Sequence, residues 1–217
     1  MGAGVDESST PAIDESIDLL WRSTALASLE HFSYRPCRHE NMLGGTVVVP
    51  RNEIPTTIRY HVRLSPGWLV RPAQFTLADP SGETRTDVTT EDGRWWVDEE
   101  ERLDLAACTD IDLGWTPSTN TLPIRRTSLP VGESIDVRAA WVTFPDLIIQ
   151  PAQQRYERVD ELTWIYRSGA FAAELATDHR GLVVRYGEDI WSTVASSNGD
   201  IACRATAQIG AEPHHLT

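Results

Sequence analysis

The chain has 217 residues, 41% of them hydrophobic, and a formal net charge of −13, which fits one acidic globular domain of ordinary size. This charge argues against a nucleic-acid partner, because such partners are bound by basic surfaces, and against electrostatic docking on anionic lipid. No stretch approaches the roughly 20 apolar residues that a transmembrane helix requires.

The amino-terminal residues and the cysteines predict a protein that is not exported. Residues 1–15 contain neither a basic n-region nor an apolar h-region, so they do not form a secretory signal. The cysteines, Cys37, Cys108 and Cys203, are too few and too evenly spread for a disulfide framework. We therefore expect a cytoplasmic protein with reduced thiols, whose oligomeric state the sequence leaves open.

The first part of the chain predicts an acidic tail and then short strands. Residues 1–16 are acidic and rich in Ser and Thr, so we expect a disordered tail. Ile17, Leu19 and Trp21 alternate as in a strand, although residues 13–21 also fit one face of a helix. Further strands are predicted at residues 29–34, 44–49, 57–64, 68–78, 84–90 and 94–97.

The clearest of these strands covers residues 57–64. Its even-numbered positions are apolar and are expected to share one face, which carries Ile58, Tyr60, Val62 and Leu64. The opposite face carries Arg59, His61 and Arg63. In the next strand, alternation puts Arg71 on the same face as Ala73 and Phe75, where a charge is costly unless it is paired.

Residues 110–126 form the most unusual stretch of the sequence. Asp110 and Asp112 alternate with apolar residues, which predicts a short half-buried strand. A run of short polar residues follows, able to hydrogen-bond nearby backbone. The residue before Pro123 is expected to be extended, so the segment is predicted to deliver Arg125 and Arg126 on a rigid extended chain.

The remainder of the chain predicts more strands, at residues 134–143, 147–149, 154–159, 162–166, 171–175, 182–186 and 190–194. Residues 197–217 are expected to form a poorly ordered tail. A dozen or so short strands with turns between them are typical of a sandwich, barrel or curved roll. We predict a mainly β domain over residues 17–196, a strongly curved antiparallel sheet forming a roll or incomplete barrel.

Motifs for catalysis, metals and cofactors are weak or missing in this sequence. There is no Gly-x-Ser-x-Gly elbow and no phosphate-binding or dinucleotide fingerprint. Cys37 and His39 lack the second half of a zinc pattern, and Cys108 is more typical of a buried structural thiol. We therefore predict no metal, no cofactor and no assigned catalytic residue.

The run Thr-Asn-Thr-Leu-Pro-Ile-Arg-Arg at 119–126 resembles a motif of the bacterial family described as "putative glycolipid-binding", formerly a domain of unknown function. Other stretches resemble this family in the same order and extend the likeness to about residues 19–194. They are residues 20–22, 29–31, 60–71, 93–95, 108–113, 145–147, 154–156 and 181–183. The departures are Ser118, where the family tends to an aromatic residue, and Thr127, where it tends to leucine.

This resemblance implies a fold and a function. It favours a strand over a helix at residue 17, and a curved sheet like that of bacterial lipoprotein carriers, which encloses an apolar cavity. It implies binding of a glycolipid or another amphiphile, without catalysis. Fold-level likeness alone does not fix a function, so the residues must be considered separately.

The candidate ligand contacts are aromatic and arginine residues with one amide, because aromatic walls with a few polar groups describe a ligand cavity. They are Tyr60, Trp95, Tyr156, Arg71, Arg125, Arg126 and Asn120. Besides a purely structural or oligomeric module, which would show no cavity, two interpretations stay open. The protein binds an amphiphile inside the sheet, or it is an enzyme in which His61 works with an acidic partner such as Asp112 on a small substrate.

Overall fold

The computed structural model describes residues 16–188 and 190–197. The two predicted tails, residues 1–16 and 197–217, lie outside this part of the chain except for Ser16 and Ser197. The described residues form fifteen strands, one short α-helix and two 3-10 helices. None of these helices is long and apolar enough to cross a membrane.

The strands follow the predicted alternation closely and include the predicted strand at residue 17. The first eight are β1 (Ile17–Ser23), β2 (Ser28–Cys37), β3 (Glu40–Arg51), β4 (Ile54–Leu64), β5 (Val70–Asp79), β6 (Gly82–Glu91), β7 (Arg94–Val97) and β8 (Glu100–Glu101). The others are β9 (Asp110–Leu113), β10 (Ser134–Val142), β11 (Ile149–Arg158), β12 (Thr163–Ser168), β13 (Phe171–Thr177), β14 (Val183–Tyr186) and β15 (Trp191–Ser196).

All fifteen strands belong to one curved sheet, in the order β8-β7-β6-β5-β4-β3-β2-β1-β15-β14-β13-β12-β11-β10-β9. Neighbours are antiparallel except for β9, which runs parallel to β10. The chain thus builds one half outward from β1, crosses to the far edge, and returns through the other half to pair β15 with β1. This confirms the predicted mainly β domain with a curved sheet.

The two edges of the sheet are bridged without pairing to each other. The crossing segment contains a 3-10 helix, Leu103–Leu105. Just before it, the Arg102 backbone N–H donates to the Trp95 carbonyl at 2.8 Å, and the Arg102 guanidinium donates to the Ile149 carbonyl at 2.8 Å. The sheet is therefore an open roll, and the segment around Arg102 joins its two edges.

Strand β4 shows how alternation builds the core. Its side chains Ile58, Tyr60, Val62 and Leu64 are completely buried, as predicted. On the outer face, Arg59 pairs with Glu83 at 2.7 Å and Arg63 with Glu40 at 2.6 Å. The apolar side of each strand therefore faces the interior of the roll, and the basic side is solvated and ion-paired.

The predicted placement of Arg71 on an apolar face is wrong. Strands β4 and β5 change register between Val62 and Leu64, so Leu64 pairs with Val70 while Val62 pairs with Ala73. The extra residue on β5 reverses which side chains point inward. Val70, Ala73 and Phe75 are buried, and Arg71 is exposed.

The predicted extended conformation of residues 122–126 is also wrong. Ser118–Asn120 forms a 3-10 helix that continues into α1, Thr121–Thr127. Pro123 lies in the first turn of α1, where a backbone N–H has no acceptor within the helix, so proline is tolerated there. Burial of Leu122 and Ile124 on the inner side compensates the restriction that proline places on its neighbour.

Candidate functional site

Helix α1 lies inside the roll and contacts both halves of the sheet. The Arg125 guanidinium carbon lies 5.1 Å from the centre of the Trp68 ring, in the connection between β4 and β5. On the other side, a Cβ added to Gly181 would lie 2.9 Å from Arg125 Cδ, and Gly181 has a φ of +77°. The turn between β13 and β14 thus needs glycine both for its backbone and for close approach of α1.

A cleft of about 510 Å³ lies beside the end of α1. Three segments enclose it: the end of α1, the turn between β11 and β12, and the turn between β13 and β14. Its lining residues are Ile124, Arg125, Ser128, Leu129, Arg158, Glu161, Leu162, Trp164, Thr177, Asp178, His179 and Gly181. We call this space the α1 cleft.

The α1 cleft contains polar groups whose hydrogen-bonding capacity is unused. The Trp164 side chain is buried, and its indole N–H has no partner among the described residues. The Arg125 guanidinium makes no hydrogen bond or ion pair within the same residues, although it lies over the Trp68 ring. A buried donor without an acceptor costs about 1–3 kcal/mol, so such a group points to a missing partner.

Arg158 shapes the wall of the cleft. Its guanidinium lies 5.4 Å from the centre of the Trp164 ring, and its three nitrogens donate to carbonyl oxygens of Leu129, Asp160 and Glu161 at 2.8–3.2 Å. These bonds hold the β11–β12 turn against the end of α1. Arg158 forms no direct ion pair within the described residues, although a backbone hydrogen bond and, to a lesser degree, the charge of Arg158 lower the pKa of the nearby Asp160 carboxyl.

The acidic residues of the cleft are differently engaged. Asp178 Oδ1 accepts the backbone N–H groups of Arg180 and Leu182 at 2.9 Å, and its Oδ2 accepts from the Arg180 guanidinium at 2.8 Å. Glu161 is exposed to solvent. Of the two acids that line the cleft, Asp178 is therefore engaged by its own turn and by Arg180, and Glu161 faces solvent.

A second cleft, of about 560 Å³, lies over β13 and β14. Its charged residues include Glu174 and Arg185, which pair with each other at 2.8 Å. This pairing leaves fewer unused polar groups than the α1 cleft offers. We therefore take the α1 cleft as the candidate site.

A buried polar network supports α1 from below. Asp112 Oδ2 accepts from the Gln154 amide at 2.6 Å, and Asn120 donates to the Tyr156 hydroxyl at 2.9 Å. Burial raises the pKa of Asp112, despite the hydrogen bond from Gln154 that opposes the shift. Burial also raises the pKa of Tyr156, so its hydroxyl stays protonated. The network fixes residues 119–120 on β9 and β11.

A second buried carboxyl ties the start of this segment to the other half of the sheet. Glu30 Oε1 accepts from the Tyr60 hydroxyl at 2.5 Å and from the Thr116 hydroxyl at 2.8 Å. Glu30 is completely buried, its Oε2 has no partner among the described residues, and burial raises its pKa to about 8. The carboxyl is therefore protonated at neutral pH.

The structure brings together only some of the residues predicted as ligand contacts. Arg125 lines the α1 cleft, and Asn120 and Tyr156 are buried behind it. The other four lie elsewhere: Tyr60 bonds Glu30, Arg126 pairs with Asp110, Trp95 donates to the Cys108 carbonyl, and Arg71 is exposed.

The predicted pairing of His61 with Asp112 does not form. His61 is exposed on the outer face of β4, whereas Asp112 hydrogen-bonds Gln154 and Thr119 inside the roll. The physical reason is alternation, because His61 follows the inward-pointing Tyr60. The geometry on which the enzyme alternative depended is therefore absent from the described residues.

Trp164 and Arg158 are not among the residues predicted as ligand contacts, although they line the α1 cleft. Both belong to the region of the resemblance, and Arg158 follows the quoted stretch 154–156 by two residues. Nothing local distinguishes them, because their role depends on the α1 end that packs on them.

The Asn120 contact gives a first prediction. Asn120→Ala should lower the free energy of unfolding by about 1–3 kcal/mol, because the buried Tyr156 hydroxyl loses its donor. Gln153→Ala, on the exposed face of β11, is the control and should change stability by less than about 0.5 kcal/mol. Urea unfolding followed by tryptophan fluorescence measures both. Equal midpoints for the two variants would contradict the prediction.

Comparison with known proteins adds two findings. The model of the family described as "Putative glycolipid-binding" matches residues 18–191. The crystal structure of a DUF1089 family protein from Pseudomonas aeruginosa is similar, with 30% sequence identity and a TM-score of 0.68. The similarity covers 78% of this chain and 93% of that one. No curated protein matches the chain.

Proposed function

Because the chain belongs to the family described as "putative glycolipid-binding", we propose that it binds a glycolipid or a similar amphiphile, with the polar head group in the α1 cleft. The observation that carries this proposal is Trp164, a lining residue of the α1 cleft whose indole N–H is buried and has no acceptor among the described residues. A sugar hydroxyl or ring oxygen is an acceptor of suitable size for that position.

The walls of the cleft suit the rest of such a ligand. Ile124, Leu129 and Leu162 supply aliphatic surface next to the polar floor. A volume of about 510 Å³ lies within the roughly 300–1,000 Å³ typical of small-molecule sites. It accommodates a head group and the first carbons of an alkyl chain, so a longer chain extends beyond the cleft.

We assign the head group to the α1 cleft because side chains fill the middle of the roll. We expected the ligand inside the curved sheet, among residues such as Tyr60 and Trp95. Phe32, Tyr60 and Trp115 are buried there to 0% exposure, and the interior cluster continues through most strands of the first half. Close-packed interiors leave few voids larger than a water molecule.

A titration tests this proposal. Octyl β-D-glucoside, used below its critical micelle concentration, should bind saturably to the protein in isothermal titration calorimetry. Trp164→Phe keeps the aromatic packing but removes the N–H, so it should weaken binding about five- to tenfold, as the loss of one hydrogen bond costs about 1 kcal/mol.

Trp96→Phe is the matched control, because Trp96 also lies under an arginine, with Arg94 at 5.0 Å, but outside the α1 cleft. The Trp96→Phe variant should bind octyl β-D-glucoside with the affinity of the wild type. Absence of saturable binding to the wild-type protein, or equal loss in both variants, would count against the proposed site.

A further inference from the structure

We propose that the α1 cleft selects amphiphiles whose head group is anionic, bearing a carboxylate or a phosphate. This inference rests on the proposed function and names the ligand class of the same site. The argument depends on which hydrogen-bonding groups and charges in the cleft remain unused.

Two guanidinium groups of the cleft lack carboxylate partners among the described residues. Elsewhere the arginines are mostly ion-paired, as in Arg126 with Asp110 and Arg185 with Glu174. Arg125 has no such partner, and Arg158 donates only to carbonyl oxygens. Because a guanidinium is not deprotonated in proteins, both keep a full positive charge.

Arg125 and Trp164 carry N–H donors that have no acceptor among the described residues. A guanidinium has five N–H groups. Arg158 uses three of them, two in the β11–β12 turn and one on the Leu129 carbonyl, and the Arg125 guanidinium uses none within the described residues. Stacking of Arg125 on Trp68 leaves the edges of its guanidinium available for a planar, bidentate acceptor. The Trp164 N–H adds one further donor.

The acids near the cleft leave this donor character in place. Asp178 is saturated by Arg180 and by its own turn, and the Asp160 carboxylate accepts the N–H groups of Leu162 and Thr163 at 2.9 and 2.8 Å. Glu161 is the exception, since it lines the cleft and is exposed. A neutral sugar would match a mixture of donors and acceptors, whereas these groups match an anion.

A matched pair of ligands tests the inference. Octyl β-D-glucuronide differs from octyl β-D-glucoside by a carboxylate in place of one hydroxymethyl group. We expect calorimetry to show at least tenfold tighter binding of the glucuronide at low ionic strength. Sodium chloride should weaken glucuronide binding severalfold and leave glucoside binding nearly unchanged, because screening acts on the charge. Octyl phosphate in a third arm distinguishes a phosphate head group from a uronic acid.

Two variants locate the effect. Arg125→Gln should reduce glucuronide binding at least tenfold and glucoside binding less than threefold. Glu161→Gln should tighten glucuronide binding. Circular dichroism checks that the variants fold. The salt dependence of ligand binding to the wild-type protein tests the inference without any variant.

The outcomes separate the two proposals. If the glucoside binds as tightly as both the glucuronide and octyl phosphate, the anion preference is overturned and the proposed function stands. If none of the three ligands binds, both are overturned. If either anionic ligand binds more tightly and loses affinity with salt, the inference is supported.

Discussion

Glu30→Gln is expected to remove a large loss of stability that the wild-type protein undergoes between about pH 4.5 and pH 8. In the folded chain the pKa of Glu30 is raised from 4.5 to about 8, first because the carboxyl is buried. Above pH 4.5 the unfolded chain releases this proton while the folded chain retains it. Stability therefore falls as pH rises through this window and levels off above pH 8.

The expected magnitude follows from the shift. One pKa unit corresponds to about 1.4 kcal/mol, so a rise to about 8 gives a loss on the order of 5 kcal/mol across the window. Glutamine reproduces the protonated acid, since its carbonyl oxygen can accept the Tyr60 and Thr116 hydroxyls as Glu30 Oε1 does. The variant should be nearly as stable as the wild type at pH 4.5 and markedly more stable at pH 8.

Urea unfolding at a series of pH values measures this difference. Glu83→Gln is the control, because Glu83 is exposed and pairs with Arg59 on the outer face. The free energy of unfolding of Glu83→Gln should depend on pH as steeply as that of the wild type. Burial also raises the pKa of Asp112, so a slope of the same sign should persist in Glu30→Gln. A slope unchanged from the wild type would show that Glu30 is not held protonated in the fold.

The sheet could be predicted from the sequence because alternation acts locally. Each strand needs one face buried, so the pattern at Ile58, Tyr60 and Val62 determines both conformation and orientation. The same logic identified the outer arginines, including Arg59, which pairs with Glu83. Where the alternation of apolar residues and the hydrogen-bond register agree, few other conformations or orientations of a strand are compatible with both.

Two errors arose where a distant contact overrides a local preference. Residue 71 was assigned to the wrong face because the register change between β4 and β5 leaves no local trace in the sequence. Helix α1 was predicted as an extended segment because Pro123 disfavours helix for Leu122. Burial of Leu122 and Ile124 between the two halves of the sheet outweighs that preference, and this burial depends on residues far away in the chain.

The candidate site depends even more on long-range contacts. Arg125 meets Trp68 and Gly181, which lie 57 positions before it and 56 positions after it in the sequence. Glu30 receives its hydrogen bond from Thr116 across 86 positions. Tryptophans and arginines could be chosen as candidates by type, but only packing decides which of them remain unpaired.

Gly45→Ala is expected to destabilise the fold strongly, and it tests the packing around Glu30. A Cβ on Gly45 would lie 2.5 Å from Tyr60 Cε1 and 2.8 Å from Glu30 Oε1. Both side chains are completely buried and hydrogen-bonded to each other, so neither moves aside at low cost. Overpacking of this kind costs typically about 1–3 kcal/mol, and disruption of the Glu30 contacts adds to it.

The neighbouring glycine supplies a matched control. A Cβ on Gly44 would approach His61 Nδ1 at 3.0 Å, but His61 is exposed on the outer face and its ring is free to rotate away. Gly44→Ala should therefore be neutral or stabilise the strand by up to about 1 kcal/mol, since alanine reduces the freedom of the unfolded chain. Thermal and urea unfolding of the two variants compare them directly. If Gly45→Ala is no less stable than Gly44→Ala, Tyr60 and Glu30 do not pack tightly over Gly45 in the folded protein. A clear difference would tie the stability of the roll to the hydrogen bonds that Glu30 makes with Tyr60 and Thr116.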